Sequence, residues 1–240
     1  VSKANKRERQ RENRERAREE RERLMKRDKT WRTVRSLLFV LVPVLAVAIV
    51  ITLTRNDQDS AKATPTPTRT FKQAPKQTID PAKTYTATIV TTEGTMTAKL
   101  DPKNAPVATN NFVFLANEHF YDGLCIDRAS KGFVIQGGSP KCDQQGGPGY
   151  TVKGEVPTDH YPVGALAAAK SGADPAGTMG SQFFIVTGAN GATLPNDYAR
   201  FGSVDSGIAV AQQIEALAPS TGDGKPTKPV KIKKITITES

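Results

Sequence analysis

With 240 residues the chain can hold one domain of ordinary size plus extra segments. Its formal charge of +10 is unevenly placed: residues 1–35 carry 15 Lys and Arg against 7 Asp and Glu, and the remainder 19 against 17. The basic character therefore excludes little about a ligand of the globular part, which is nearly neutral and for which no nucleic acid partner is expected.

Residues 1–33 form a basic, charged segment. Within it, KANKRERQRENRERAREERERLMKRDK has helical propensity and the i,i+4 pairs Glu12–Arg16, Glu19–Arg23 and Glu22–Lys26. It has no a/d stripe, so a charged N-terminal helix, solvated or fraying, is expected rather than a coiled coil. Attraction to anionic lipid or nucleic acid is the functional alternative, weakened by the interleaved Glu residues.

Residues 34–54 read as one transmembrane helix: VRSLLFVLVPVLAVAIVITL has no charge between Arg35 and Arg55. About 20 apolar residues rising ~1.5 Å each cross a hydrocarbon core of ~30 Å. Trp31 sits at the interfacial level, and the Lys/Arg excess before the span orients the N-terminus to the cytoplasm. A single-pass cell-membrane protein with an extracytoplasmic domain is expected. The rival is a signal peptide cleaved after Ala46-Val47-Ala48, against which stand the long charged lead and the apolar residues beyond that site. Residues 55–81, rich in Thr, Pro, Lys and Gln, read as an extended spacer.

Residues 82–240 are the globular part. Tyr85, Ala87, Ile89 and Thr91 alternate with their neighbours, and Glu93-Gly94 turns the chain into a second strand, Thr95–Leu100. Pro106 lies just inside a helix reaching to about Glu118, whose buried face is Ala108, Phe112, Leu115 and Ala116. Further strand-like runs are Leu124–Arg128, Phe133–Gln136, Gly164–Ala169, Phe183–Thr187, Phe201–Val204 and Val230–Thr238, with a second helix, Gly207–Leu217, before the last. Eight short strands and two helices predict an all-β fold, a closed eight-stranded antiparallel barrel capped by the helices, which leaves no free edge.

Two stretches carry the chemistry. Tyr121–Gly138, YDGLCIDRASKGFVIQGG, and Gly180–Ile185, GSQFFI, supply one Arg, two Gln and two Phe without a nucleophile. GFVIQGG, GGPGY and GSQFFI, in that order, resemble the signature of the cyclophilin-type peptidyl-prolyl isomerases. The resemblance covers about Thr84 to Ile237, and the family's barrel agrees with the strand pattern. An actinobacterial-type, membrane-anchored member is the expectation by analogy.

The activity that the resemblance implies has clear physical demands. A peptide bond resists rotation with a barrier of ~18–20 kcal/mol, and bonds before proline exchange over tens to hundreds of seconds. In the twisted transition state the prolyl nitrogen becomes pyramidal and regains a lone pair. A donor aimed at that nitrogen binds the transition state selectively and raises the rate. A guanidinium, always charged and rigidly planar, suits this task.

The resemblance assigns catalytic parts to Arg128, Gln136 and Phe133. It assigns substrate binding to Val134, Ala169, Lys170, Gln182, Phe184, Leu194 and Tyr198. Phe133, Val134, Phe184 and Leu194 match the walls of a proline pocket, and Gln136 and Gln182 match groups that hold the peptide backbone. Read singly, the Phe residues could be core and Arg128 a partner of Asp127. No cofactor or metal is expected, since His119 and His160 have no ligand-like spacing to the cysteines. The expected partners are proline-containing segments of secreted or membrane proteins, bound by a monomer. A proline-peptide holder without turnover is the alternative, and a scaffold role for the basic segment a third.

Two departures stand out. The family's Phe-His-Arg is Ile126-Asp127-Arg128 here; strand alternation predicts that Asp127 points away from Arg128. Thr193 aligns with a Trp that many members use to bind cyclosporin, so weak cyclosporin binding is expected. Cys125 and Cys142 are the only cysteines; a disulfide between them and two separate thiols both remain open.

Overall fold

Alternation of buried and half-buried residues sets β1 (Tyr85–Thr91) in the computed structural model, which describes residues 69–240. Its inward set is Tyr85, Ala87, Ile89 and Thr91, as the alternation predicts. The basic segment, the apolar span and residues 55–68 of the spacer lie outside the described residues. Among the described residues no helix is long and apolar enough to cross a membrane.

In chain order follow β2 (Thr95–Leu100), α1 (Pro106–Asn117), β3 (Cys125–Ser130), β4 (Val134–Gly137), β5 (Val152–Lys153), β6 (Ala165–Ala168), β7 (Thr178–Met179) and β8 (Phe183–Val186). A 3-10 turn (Ala189–Thr193), β9 (Arg200–Ser206), α2 (Ile208–Glu215), β10 (Asp223–Gly224) and β11 (Val230–Glu239) complete the domain. Strands β3, β11, β1, β2, β9, β6, β8 and β4 pair in that order, and β4 pairs back onto β3. The ring of eight is antiparallel throughout and closed, so it presents no open edge of its own. Strand β10 is added to the far end of β3, and β5 pairs with β7 in a separate ribbon.

Helix α1 packs with the predicted face inward: Ala108, Phe112, Leu115 and Ala116 are all buried. Phe112 meets Phe183, Tyr121 and Phe201 at centroid distances of 5.6, 5.3 and 5.0 Å. Truncating such a ring to Ala typically costs about 3–5 kcal/mol.

The domain's packing reaches back past the boundary at residue 82 that composition suggests. Phe71 lies edge-on to Phe114 at 5.0 Å, and its N–H donates to the Pro148 carbonyl at 2.8 Å. Ile79 is 6% exposed, and the Thr78 and Ile79 amides both donate to Asn110 Oδ1. Within 69–81 the polar composition hid two apolar anchors too far apart to form a period.

On the wall β6–β8–β4, period-2 alternation divides the side chains between two clusters. Leu166, Ala168, Phe183, Ile185 and Ile135 join the main core. Ala165, Ala167, Phe184, Val186 and Val134 join a second, smaller cluster on the outer face, with Tyr161. That outer cluster is the floor of the site.

Candidate active site

Strand register builds the site in one row. Arg128 on β3 stands opposite Gln136 on β4, Gln136 opposite Phe184 on β8, and Phe184 opposite Ala167 on β6. Side chains in such a row share a face, so a cation, an amide and a ring come together by register alone.

Between Ile126 and Arg128 the register slips by one residue, leaving Asp127 as the extra member of a β-bulge. The bulge lets Ile126 and Ala129 both join the core while Arg128 stays on the outer face. Asp127 is 1% exposed and does not pair with Arg128. Simple alternation is not the cause, because the bulge puts Ile126 in the core while Arg128 stays outside, and it is the bulge that sinks Asp127. Its Oδ2 accepts from Ser139 Oγ and from the Gln144 amide at 3.1 Å. Burial pushes the Asp127 carboxyl above its ordinary value, and those two hydrogen bonds pull partly the other way.

The partner of Arg128 is Asp223 on β10. Arg128 Nε donates to Asp223 Oδ1 at 2.8 Å and Nη2 donates to Oδ2 at 2.7 Å. The hydrogen-bonded carboxylate raises the Arg128 pKa further, and the guanidinium in turn lowers that of Asp223. Nη1 donates to Gln136 Oε1 at 3.3 Å, Gln136 Nε2 to Gln182 Oε1 at 3.1 Å, and Gln182 Nε2 to the Gln144 and Gly146 carbonyls. The Arg128 guanidinium carbon lies 5.9 Å from the centroid of Phe133.

These groups frame a cavity of ≈ 170 Å³ lined by Phe133, Val134, Phe184, Leu194 and Tyr198, with Arg128, Gln136, Ala169 and Lys170 at its margins. Pockets for drug-sized ligands begin at about 300 Å³, so this one suits a single small ring. Tyr161 steadies the far wall: its hydroxyl donates to the Tyr198 carbonyl at 2.8 Å and accepts from the Tyr198 amide at 3.0 Å. Phe184 and Tyr198 meet edge to face at 5.5 Å.

A wider cavity of ≈ 660 Å³ adjoins it, sharing Gln136, Ala169 and Lys170 and walled by the loop of residues 144–151. The Lys170 ammonium is not a free cation in either. Its side chain is 2% exposed and paired with Asp197 at 2.6 Å, and it donates to the Ser171 and Asp174 carbonyls. Thr193 is exposed at the end of the 3-10 turn, its hydroxyl donating to Asn190.

The 144–151 loop is held from behind. Cys125, at the start of β3, is joined to Cys142 by a disulfide with a Cα separation of 5.2 Å. Gly138 begins the loop at φ +90°, where an added Cβ would sit 2.5 Å from the Ser181 carbonyl; Ser181 Oγ donates to the Gly138 carbonyl. Among the described residues no group of three or more His, Cys, Asp or Glu is placed to hold a metal ion.

Every residue that the sequence assigned to the site, apart from Gln182 and the two cysteines, lines the smaller cavity. Gln182 joins through Gln136 and lines the larger one. Sequence reasoning missed Asp223, Tyr161, Ser139 and Gln144. Asp223 lies in a Gly-flanked turn with no periodic signal, and only its pairing to β3 brings it to Arg128.

Comparisons with known proteins agree with this geometry. The family model for cyclophilin-type peptidyl-prolyl cis-trans isomerases matches residues 86–237. A peptidyl-prolyl cis-trans isomerase of Helicobacter pylori is similar, 41% identical over 139 residues, which cover 56% of this chain and 82% of that protein. Peptidyl-prolyl cis-trans isomerase B of Bacillus subtilis is 45% identical over 119 residues, 48% of this chain and 80% of that one. Among solved structures, a cyclophilin-type isomerase of Cryptosporidium parvum superposes with a TM-score of 0.59 at 29% identity, covering 65% of this chain and 99% of that chain. With the barrel, the row of site residues and the family match over most of the domain, the chain belongs to the cyclophilin-type peptidyl-prolyl cis-trans isomerases.

Proposed function

We propose that this isomerase acts on Xaa-Pro bonds of extracytoplasmic proteins by aiming Arg128 at the prolyl nitrogen. In this reading the proline ring enters the cavity walled by Phe133, Val134, Phe184 and Leu194. Gln136 and Gln182 hold the flanking backbone, and an Arg128 N–H donates to the nitrogen as it becomes pyramidal. The observation that carries the reading is a guanidinium at the rim of an apolar, ring-sized cavity, 26% exposed and lying over Phe133. The Cryptosporidium relative was crystallised in the presence of the dipeptide Ala-Pro, which fits a proline-sized pocket on this fold.

A holder of proline peptides without turnover is less well supported, because Asp127 is buried and bonded to Ser139 and Gln144, and does not compete for the Arg128 donors. The test is a protease-coupled assay on a short Xaa-Pro peptide. Arg128→Ala is expected to lower kcat/KM by about 100-fold, the scale for removing one preorganised donor from a developing charge. Equal rates for the two proteins would reject the mechanism.

The compartment is proposed from the sequence: a monomeric domain tethered outside the cell by the apolar span of residues 34–54, with residues 1–33 inside. Fractionation of cells expressing the full chain should leave it in the membrane pellet, with its domain digested by protease added to spheroplasts. Recovery in the soluble cytosol would remove both the tether and the extracytoplasmic clients.

A further inference from the structure

We propose that Asp223 is a positioning residue for the isomerase reaction, gripping one edge of the Arg128 guanidinium so that the other edge faces the proline cavity. The proposal rests on the reading of Arg128 as the transition-state donor and adds the group that aims it.

The geometry is bidentate, with two parallel N–H···O bonds of 2.8 and 2.7 Å from Nε and Nη2 to the two carboxylate oxygens. A fork of this kind fixes the plane of the guanidinium, not merely its position. A guanidinium has five N–H donors. Three are directed at Asp223 and Gln136, so two remain, one on each Nη. Without the carboxylate the side chain is free to swing about its long stem, and the Gln136 bond at 3.3 Å is a weak restraint.

Stability does not explain the pair. The two side chains are 26% and 49% exposed, the range in which an ion pair contributes little. Its effect is therefore directional. Asp223 is itself placed by backbone: β10 pairs with β3 at Asp223↔Ser130 and Gly224↔Ala129, and Lys131 N–H donates to the Gly222 carbonyl at 2.8 Å. The carboxylate thus sits on the strand paired with that of its target, opposite Ser130, two residues beyond Arg128. The Tyr198 hydroxyl also acts on the guanidinium, and the Ser130 side chain and Gly224 backbone act on Asp223.

The experiment compares wild type, Asp223→Ala, Asp223→Glu, Arg128→Ala and the double variant Arg128→Ala/Asp223→Ala in the same coupled assay. Melting temperatures and the Arg128 Nε–H resonance by NMR are recorded alongside. Asp223→Ala should lose about tenfold in kcat with KM little changed, the scale of a misaimed group still present at the site. Glu at this position should restore part of the rate. The Arg128 Nε–H signal, sharp when held on a carboxylate, should broaden or vanish in Asp223→Ala. On the Arg128→Ala background, removing Asp223 should cost nothing further. A wild-type rate in Asp223→Ala, or a loss of equal size on the Arg128→Ala background, overturns the proposal. An unaffected rate in Arg128→Ala instead overturns the reading of Arg128, so the two failures are told apart.

Discussion

Two carboxylates could have paired with Arg128, the one beside it in sequence and the one 95 residues away, and only the distant one does. Strand alternation predicted that Asp127 would not pair with Arg128, but what buries it is a bulge that interrupts that alternation. Nothing local could have predicted Asp223, because its approach depends on β10 pairing with the end of β3. The buried Asp127 has its own consequence. Its folded-state pKa is raised by burial, so the native protein holds this proton more tightly than the unfolded chain. Its contribution to stability is fullest below the unfolded pKa of about 4 and is lost as pH rises through the folded value. Asp127→Asn keeps an oxygen for Ser139 and Gln144 but cannot ionise. The variant should melt above wild type at pH 7, with the gap closing as pH falls toward 4. A gap that stays constant with pH would clear Asp127 of the effect.

At the scale of elements, the loop after β4 is the part of the site with least secondary structure and most restraints. The disulfide ties Cys142 to β3, Asp127 holds Ser139 and Gln144, Gln182 donates to the Gln144 and Gly146 carbonyls, and Phe71 donates to Pro148. Closing a loop of 17 residues stabilises a fold by about 3 kcal/mol when it is unstrained. Reduction, or paired Cys→Ser changes at 125 and 142, should lower the urea midpoint accordingly. KM should rise more than kcat falls, since this loop walls the larger cavity while Arg128 stays on its strand. An unchanged midpoint and KM would show that the other restraints suffice. The long strands and both helices were legible because several residues share a period. Strands β5, β7 and β10 are two residues each and carry no period, and Phe71 and Ile79 are single anchors in polar surroundings. The candidate residues were legible for a different reason: they lie in short Gly-bounded motifs whose order the family shares.

At the scale of the whole domain, the count of eight principal strands and two helices implied a closed barrel, and the ring of eight with its two helices follows that expectation. Which strands adjoin was not legible, because pairing joins residues far apart in sequence: β1 with β11, β2 with β9, β6 with β9. Strand β11, the latest of the domain's strands in sequence order, pairs with both β1 and β3. While the polypeptide emerges from the ribosome, the strand bearing Arg128 therefore lacks a neighbour until all the others have been made. The isomerase has no finished platform of its own during translation, and its working life begins only once the seam is sewn.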